Sequence, residues 1–176
     1  MRPAFLILIV FLFSQMSFSQ KEMKPVPSVD LKKYAGLWYE YSKIPNSFQK
    51  QCVSNTTAEY KLLEDGTIQV NNSCTDEDGK RDFVSGVARI VDRETNAKLE
   101  VSFFSIFGWR PIWGDYWVIG LDKDYQYAVV GTPGRKYGWV LSRSPKLTDE
   151  QLTEINKILT EQDYDLKKFV RSKHSD

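Results

Sequence analysis

Between residues 54 and 143, hydrophobic and polar positions alternate in short runs that are separated by turn residues. In SNTTAEYKL (54–62), Ala58 and Tyr60 share one face, and charged or polar side chains occupy the other. A period of two residues is typical of a strand with one buried face. Asp65-Gly66 follows this run and is a hairpin signal. The same succession of strand and turn recurs at regular spacing, which predicts an antiparallel meander.

We predict about eight strands, in LWYEYSKI, SNTTAEYKL, TIQVNNSC, FVSGVARIV, LEVSFF, YWVIGL, YQYAVVG and YGWVLSR. Such a series forms a sandwich or a barrel. After the last strand the hydrophobic period becomes helical, with Leu152, Ile155 and Leu159 on one stripe. Thr148 and Gln151 precede this stripe at the spacing of a capping box. Up-and-down strands followed by one helix favour a closed barrel, and DYDLKKFV adds one short extended piece.

The first twenty residues differ from the rest of the chain. Arg2 precedes an apolar run from Ala4 to Phe13, and small serines follow it. This order is typical of a secretory signal peptide, whereas a membrane span needs about 20 apolar residues. An uncleaved interfacial anchor is the alternative. We therefore expect a signal peptide at 1–19, a flexible segment at 20–28 and a single domain at 29–176, exported to the periplasm or secreted.

Composition removes several classes of function. The net charge is +1, so the sequence lacks the excess of basic residues that is typical of a nucleic-acid-binding protein. His174 is the single histidine, so most metal, haem and histidine-activated nucleophile chemistry is disfavoured. Cys52 and Cys74 are the two cysteines, and in an exported protein such a pair favours a disulfide over a metal site. We expect no metal, no cofactor and no catalytic residues.

Three motifs carry a resemblance to a known family. Gly36-Leu37-Trp38-Tyr39 resembles the Gly-x-Trp-Tyr signature that opens lipocalins. VIGLDKDYQYAVV resembles the second signature of the family, and WVLSRSP resembles the third, with Arg143 as its marker. The motifs stand in the family's order, and the likeness covers about residues 29–170. Within the family, the chain is most similar to the bacterial lipocalin branch, which also resembles apolipoprotein D and plant temperature-induced lipocalins.

The resemblance implies an all-β fold: an eight-stranded antiparallel up-and-down β-barrel with one C-terminal α-helix packed outside. It also implies that Trp38 lies across the closed end of the barrel beneath Arg143. The residues expected to serve structure rather than ligand contact are Gly36, Trp38, Tyr39, Asp124, Tyr125 and Arg143. Several bacterial members carry a lipid-attachment cysteine after the signal peptide, and none stands there in this sequence. We therefore expect an exported protein without a lipid anchor.

An apolar inward face predicts a ligand cavity. Gly86, Ala88 and Gly120 are small and leave room in the barrel; the alternative is that the interior side chains alone fill it. The predicted ligand contacts are Tyr60, Val70, Gly86, Ala88, Leu99, Val101, Phe103, Tyr116, Val118, Tyr137 and Trp139. Such a wall suits a hydrophobic ligand with a small polar end. The bacterial branch binds fatty acids and lysophospholipids, so the resemblance implies a ligand of that kind.

Other interpretations remain open. One branch of the family is a lipid isomerase that uses a cysteine thiol, a role for which Cys52 is a candidate; a carrier of haem, another tetrapyrrole or a carotenoid is a further alternative. Phe107, Trp109 and Trp113 lie in a Gly- and Pro-rich connection, where they either contact a membrane or seal the rim. We expect a monomer or weak dimer. The triplets that begin at Asn55 and Asn71 fit the N-glycosylation pattern.

Overall fold

The computed structural model describes residues 21–175, so the predicted signal peptide lies outside the described part. Two helices are α1 (Leu31–Tyr34) and α2 (Asp149–Glu161), and 3₁₀ turns occupy Ser47–Gln49 and Leu166–Lys168. The strands within these residues are β1 (Gly36–Lys43), β2 (Ser54–Leu62), β3 (Ile68–Thr75), β4 (Arg81–Ile90), β5 (Lys98–Ser102), β6 (Gly114–Leu121), β7 (Tyr127–Gly131), β8 (Gly138–Ser142) and β9 (Val170–Arg171).

The sheet closes on itself. Each strand from β2 to β8 pairs with its successor, β8 pairs with β1, and β1 pairs with β2. All these pairings are antiparallel, and the closing pair sets Trp38 opposite Ala58. The short β9 adds to β1, with Arg171 opposite Ser42. The predicted eight-stranded up-and-down barrel with one outer helix is therefore confirmed, and β9 is an additional strand at its wall.

Alternation of the side chains divides the core into two layers. Val130 belongs to the cluster inside the barrel, whereas its neighbour Val129 belongs to a second cluster between the wall and α2. The helix contributes Ile155 and Leu159 to that outer cluster. The predicted capping box is present, because the Gln151 N–H donates to Thr148 Oγ1 at 3.2 Å and the Thr148 N–H donates to Gln151 Oε1 at 3.0 Å.

The two ends of the barrel differ. At one end the chain forms α1 just before β1, and this end is called the closed end below. At the other end the connections of residues 44–53, 103–113 and 132–137 meet, and this end is called the open end. Disulfide Cys52–Cys74, with the Cα atoms 5.4 Å apart, ties the first of these connections to β3. The disulfide predicted from the sequence is confirmed.

A bulge in β6 overturns one expectation. The register shifts between Val118 and Gly120, so that Val118 pairs with Val130 and Gly120 pairs with Val129. The extra residue turns Gly120 away from the interior. A Cβ added there would lie 2.9 Å from Ile158 Cγ2 of α2. Gly120 therefore lets the helix approach the wall and leaves no room for a ligand, contrary to the expectation from its position in the sequence.

Residues 21–28, for which we expected a flexible segment, contact the barrel in this structure. Met23 belongs to the outer cluster and is 4% exposed. The Val26 N–H donates to the Val118 carbonyl oxygen at 2.9 Å. The domain boundary at residue 29 stays a prediction. Among residues 21–175, no helix is long and apolar enough to cross a membrane.

Candidate functional site

An internal cavity lies in the half of the barrel nearest the closed end. Its free volume is about 20 Å³, which is enough for about one water molecule. It is lined by Val29, Leu31, Tyr34, Ala35, Tyr60, Leu62, Ile68, Val70, Ala88, Leu99, Val101, Tyr116 and Val118. Seven of the predicted ligand contacts are among them: Tyr60, Val70, Ala88, Leu99, Val101, Tyr116 and Val118. In this structure the side chains around this cavity nearly fill it.

Three tyrosines bring hydroxyl groups into this apolar surrounding. The hydroxyls of Tyr34 and Tyr116 share a hydrogen bond of 2.7 Å, and those of Tyr60 and Tyr116 share one of 2.9 Å. Burial raises the pKa of Tyr60 to about 12 and raises the pKa of Tyr34 and of Tyr116 well above the ordinary phenol value. All three are therefore neutral phenols at ordinary pH. The sequence reasoning missed Tyr34, because it precedes the first strand.

Trp38 and Arg143 block the closed end. The Trp38 side chain is completely buried, and the Arg143 guanidinium carbon lies 3.8 Å from the centroid of its ring. The Trp38 Nε1–H donates to the Tyr34 carbonyl oxygen at 2.8 Å. A cation this close to an indole face is attracted by the ring quadrupole. Both residues thus block the closed end of the barrel, and neither is among the residues that line the cavity.

The other residues of the predicted structural set also lie near the closed end or outside the barrel. Gly36 enters β1 with a φ of +92°, a conformation that favours glycine. The Tyr125 hydroxyl accepts a hydrogen bond from the Asp30 N–H at 2.9 Å, and Asp124 occupies the exposed β6–β7 turn. Tyr39 packs its ring edge-on against the His174 ring, with the centroids 5.5 Å apart.

Phe103 fills the space that Gly86 leaves. A Cβ added at Gly86 would lie 2.6 Å from Phe103 Cδ1 and 2.7 Å from the Ser102 carbonyl oxygen. Gly86 faces inward, like Ala88, and pairs with Val70 of β3. The room predicted at Gly86 is therefore occupied by the Phe103 ring, which remains 39% exposed toward the open end.

Trp139 and Tyr137 belong to an aromatic group at the open end. Their ring centroids are 6.1 Å apart, and the Phe48 ring lies 5.2 Å from that of Tyr137. The Trp139 Nε1–H donates to Gln49 Oε1 at 3.2 Å. Neither residue is among those that line the closed-end cavity. Phe48 and Gln49 were not predicted, since nothing in a non-repeating loop sequence indicates which side chains fold back over a barrel.

Glu40 is a carboxylate inside the wall that the sequence analysis did not select. It is 3% exposed, and it accepts hydrogen bonds from Gln49 Nε2 at 2.8 Å and from Ser172 Oγ at 2.6 Å. Lys43 Nζ lies 3.0 Å from its Oε1. The charge is therefore fully paired. Glu40 stands two residues after Trp38 in β1, and side chains two residues apart share one face of a strand. This spacing is the signal that could have identified Glu40 as an inward residue.

The connection between β5 and β6 exposes apolar side chains at the open end. Phe107 is fully exposed and Trp109 is 67% exposed. Trp113 differs, because the Arg89 guanidinium stacks 4.2 Å from its ring centroid and its Nε1–H donates to the Arg110 carbonyl oxygen. Among residues 21–175, no group of three His, Cys, Asp or Glu side chains is arranged to hold a metal ion.

The family of this chain follows from a match that covers most of its length. A family model described as a lipocalin-like domain matches residues 29–174. The chain belongs to the lipocalin-like family. The match includes all eight barrel strands, the outer helix and β9, so the lipocalin resemblance carried by the three motifs is confirmed.

Curated relatives fall in the branch that the motifs indicated. Temperature-induced lipocalin-1 of Arabidopsis thaliana is 38% identical over 160 residues, which cover 89% of this lipocalin and 86% of the plant protein. Outer membrane lipoprotein Blc of Escherichia coli is 36% identical over 146 residues, covering 82% and 79%. Rat apolipoprotein D is 39% identical over 149 residues, covering 80% and 75%.

Solved structures give the same fold. Insecticyanin from the tobacco hornworm Manduca sexta superposes with a TM-score of 0.72 at 26% sequence identity. The superposition covers 90% of this lipocalin and 87% of insecticyanin. The two proteins therefore share one fold over most of their length.

Proposed function

We propose that this lipocalin binds a fatty acid or a lysophospholipid inside the barrel and carries it without chemical change. The observation that supports this most is the apolar interior, which is sealed at one end by Trp38 and Arg143. Ligand enters from the open end, where loops rather than strands surround the interior. The names of two relatives, apolipoprotein D and an outer membrane lipoprotein, agree with a role that involves lipid.

Burial of an acyl chain supplies enough free energy for such binding. Each methylene removed from water contributes about 0.8 kcal/mol, so a long chain contributes on the order of 10 kcal/mol before ordering costs. No charge pairing in the interior is needed. The carboxylate or phosphate headgroup remains at the open end, where water solvates it.

The barrel must open to admit this ligand. Ligand pockets usually have volumes of about 300 Å³ or more, whereas the present cavity has about 20 Å³. Phe103 is the side chain best placed to move, because its ring covers Gly86 and is already partly exposed to solvent. Outward rotation of this ring joins the closed-end cavity to the open end.

An isomerase that uses a cysteine thiol is a poorer fit. Both cysteines of the sequence are joined in the disulfide Cys52–Cys74. That bond lies at the open end, outside the set of residues that line the cavity. A tetrapyrrole or carotenoid is also a poorer fit than an acyl chain, since a rigid conjugated ligand requires more of the interior to move than a flexible chain does.

We further propose an exported protein, periplasmic or secreted, acting as a monomer or weak dimer. The exposed Phe107 and Trp109 contact membrane lipid at the open end, with Trp113 supporting that connection through Arg89. Delivery or collection of lipid then takes place where the interior opens.

Filling the cavity tests the proposed function. Ala88 lines the cavity, so Ala88→Leu should abolish binding of saturated fatty acids while the fold survives at an overpacking cost of about 1–3 kcal/mol. Val87→Leu, at the neighbouring outward position, is the matched control and should bind like the wild type. Calorimetric titration of acids with 10 to 18 carbons measures both variants.

For the wild type, each added methylene should tighten binding about fourfold until the interior is full. Equal affinity for all chain lengths, or full binding by Ala88→Leu, places the ligand outside the barrel and contradicts the proposal.

A further inference from the structure

The hydroxyls of Tyr34, Tyr60 and Tyr116 form a chain with one hydrogen-bond donor too many. Each phenol carries one proton, so the chain has three donors. The structure gives these hydroxyls only the two mutual bonds, of 2.7 and 2.9 Å. One O–H group therefore has no acceptor among the described residues. A buried donor without an acceptor is costly, and buried polar groups in native proteins almost always have a partner in the protein or in ordered water.

The surroundings of the three hydroxyls restrict which group can accept a hydrogen bond from the unpaired O–H. All three tyrosines line the closed-end cavity, and none of the other cavity-lining residues is charged or carries a polar side chain. Two charges act on these hydroxyls: the Arg143 guanidinium partly offsets the rise that burial causes in the pKa of Tyr34, and the Glu40 carboxylate adds to the rise that burial causes in the pKa of Tyr60. The Arg143 guanidinium donates hydrogen bonds to backbone carbonyls and stacks on Trp38. Among the described residues that line the cavity, none has a cationic side chain that could pair with an anion.

We propose that this tyrosine triad is an anchor for one uncharged acceptor oxygen at the deep end of the ligand. A ketone, ester or ether oxygen meets the requirement, because it accepts one hydrogen bond and brings no charge. A carboxylate does not, since its burial without a cation costs far more than one hydrogen bond returns. This inference rests on the proposed function, that a hydrophobic chain enters the barrel.

The consequence is a specific class of preferred ligand. The ligand enters with its charged headgroup toward the open end, as in the proposed function. Its acyl chain carries a neutral oxygen in the half that is farthest from the headgroup. Such a molecule satisfies the spare donor, whereas a plain saturated chain leaves it unsatisfied. Oxidised acyl chains with a keto group far from the carboxylate belong to this class.

The test compares octadecanoic acid with its 5-, 9-, 13- and 17-oxo derivatives, which differ only in the depth of the keto oxygen. At one position in the methyl-terminal half, wild-type affinity should exceed that for octadecanoic acid by about three- to tenfold, the range of one hydrogen bond. At shallow positions a keto group should weaken binding, because the ketone loses water without gaining a donor.

Two variants distinguish hydrogen bonding by the triad from an effect of cavity shape. Tyr34→Phe/Tyr60→Phe/Tyr116→Phe removes every donor at nearly constant volume, so octadecanoic acid should still bind and the keto preference should disappear. Tyr116→Phe alone leaves two unpaired hydroxyls, so the preference should persist. Tyr127→Phe, which removes a hydroxyl from the outer cluster beneath α2, is the control and should change neither affinity.

A spectroscopic measurement keeps the test valid if the triple variant does not fold. The ¹³C-labelled keto group of the preferred acid, bound to the wild type, should absorb at lower wavenumber than in hexane, because a donated hydrogen bond weakens the C=O stretch. An unshifted band overturns the inference. Equal affinity for keto and parent acids at every depth also overturns it, and then a buried water satisfies the spare donor. If octadecanoic acid itself fails to bind the wild type, the proposed function fails instead.

Discussion

At the scale of single residues, Arg143 serves two purposes at once. Its guanidinium stacks on Trp38, and its NH groups donate to the carbonyl oxygens of Lys33, Tyr34, Ala35 and Leu37 at 2.6–3.1 Å. Three of these carbonyls belong to α1 or its C-terminal residue. One side chain, directly after the end of β8, thus fixes the helix that closes the barrel to the strand that follows this helix.

Replacing this side chain should therefore destabilise the protein without affecting the ligand. Arg143→Ala leaves the carbonyls at the end of α1 without donors and uncovers the indole of Trp38, at an expected cost of about 1–3 kcal/mol in the free energy of unfolding. Urea titration measures this, with Arg93→Ala in the exposed β4–β5 turn as the control. Lost ligand affinity with unchanged stability would show that Arg143 belongs to the binding site.

Residue-level prediction succeeded where a local period sets the direction of a side chain. Tyr60, Val70 and Ala88 were predicted to face inward, and they line the cavity. Tyr34 was missed because its role depends on the fold of α1 back across the barrel, which brings its hydroxyl to Tyr116. The binding roles of all these residues stay predictions.

At the scale of elements, Cys52–Cys74 joins the β1–β2 connection to β3. The connection holds Gln49 and Phe48 over the open end, where they contact Trp139 and Tyr137. The disulfide therefore limits the motion of a loop that borders the proposed route of the ligand.

Removal of this bond should lower stability substantially. For the 22-residue separation of the two cysteines, the chain-entropy model gives roughly 3 kcal/mol. Cys52→Ala/Cys74→Ala should lose about this much in urea unfolding relative to the oxidised wild type, and its barrel should remain intact by circular dichroism. Intact-mass analysis that finds both thiols reduced in protein from an oxidising compartment would contradict the disulfide.

Element-level prediction was accurate for the eight barrel strands and the capped helix, which were predicted from their periods and turn signals, and it failed elsewhere. Helix α1 was not predicted, and most of the extended piece predicted in DYDLKKFV was wrong, because Leu166–Lys168 form a 3₁₀ turn and only Val170 of that piece joins β9. It also failed at a bulge. The shift between Val118 and Gly120 was not predicted, because a single extra residue leaves the local sequence pattern unchanged. Because of this error Gly120 was predicted to face the cavity, whereas Gly120 faces α2.

At the scale of the whole molecule, exposed apolar side chains are concentrated at the open end. Phe107 and Trp109 stand well outside the wall, so we expect the protein to bind phosphatidylcholine vesicles through this end. Phe107→Ser/Trp109→Ser should lower the vesicle-bound fraction in flotation at least tenfold, because each large apolar side chain contributes about 1.5–3 kcal/mol when buried.

Leu37→Ser/Val91→Ser is the matched control for this experiment. Both residues are exposed and apolar, but they lie at the closed end, so their replacement should leave vesicle binding unchanged. Equal loss in the two double variants would mean that the contact is general surface adhesion. Full binding by the open-end variant would remove these side chains from the proposed membrane contact.

The sequence by itself determined the family, the order of the elements and the disulfide, because periods, caps and motifs are local patterns that tertiary context did not override. Tertiary structure alone decided which inward side chains leave space. The barrel brings Phe103 over Gly86, pairs Glu40 with Ser172, and joins the hydroxyls of three tyrosines from α1, β2 and β6. Such contacts form between residues far apart in the chain, and no spacing along the sequence encodes them.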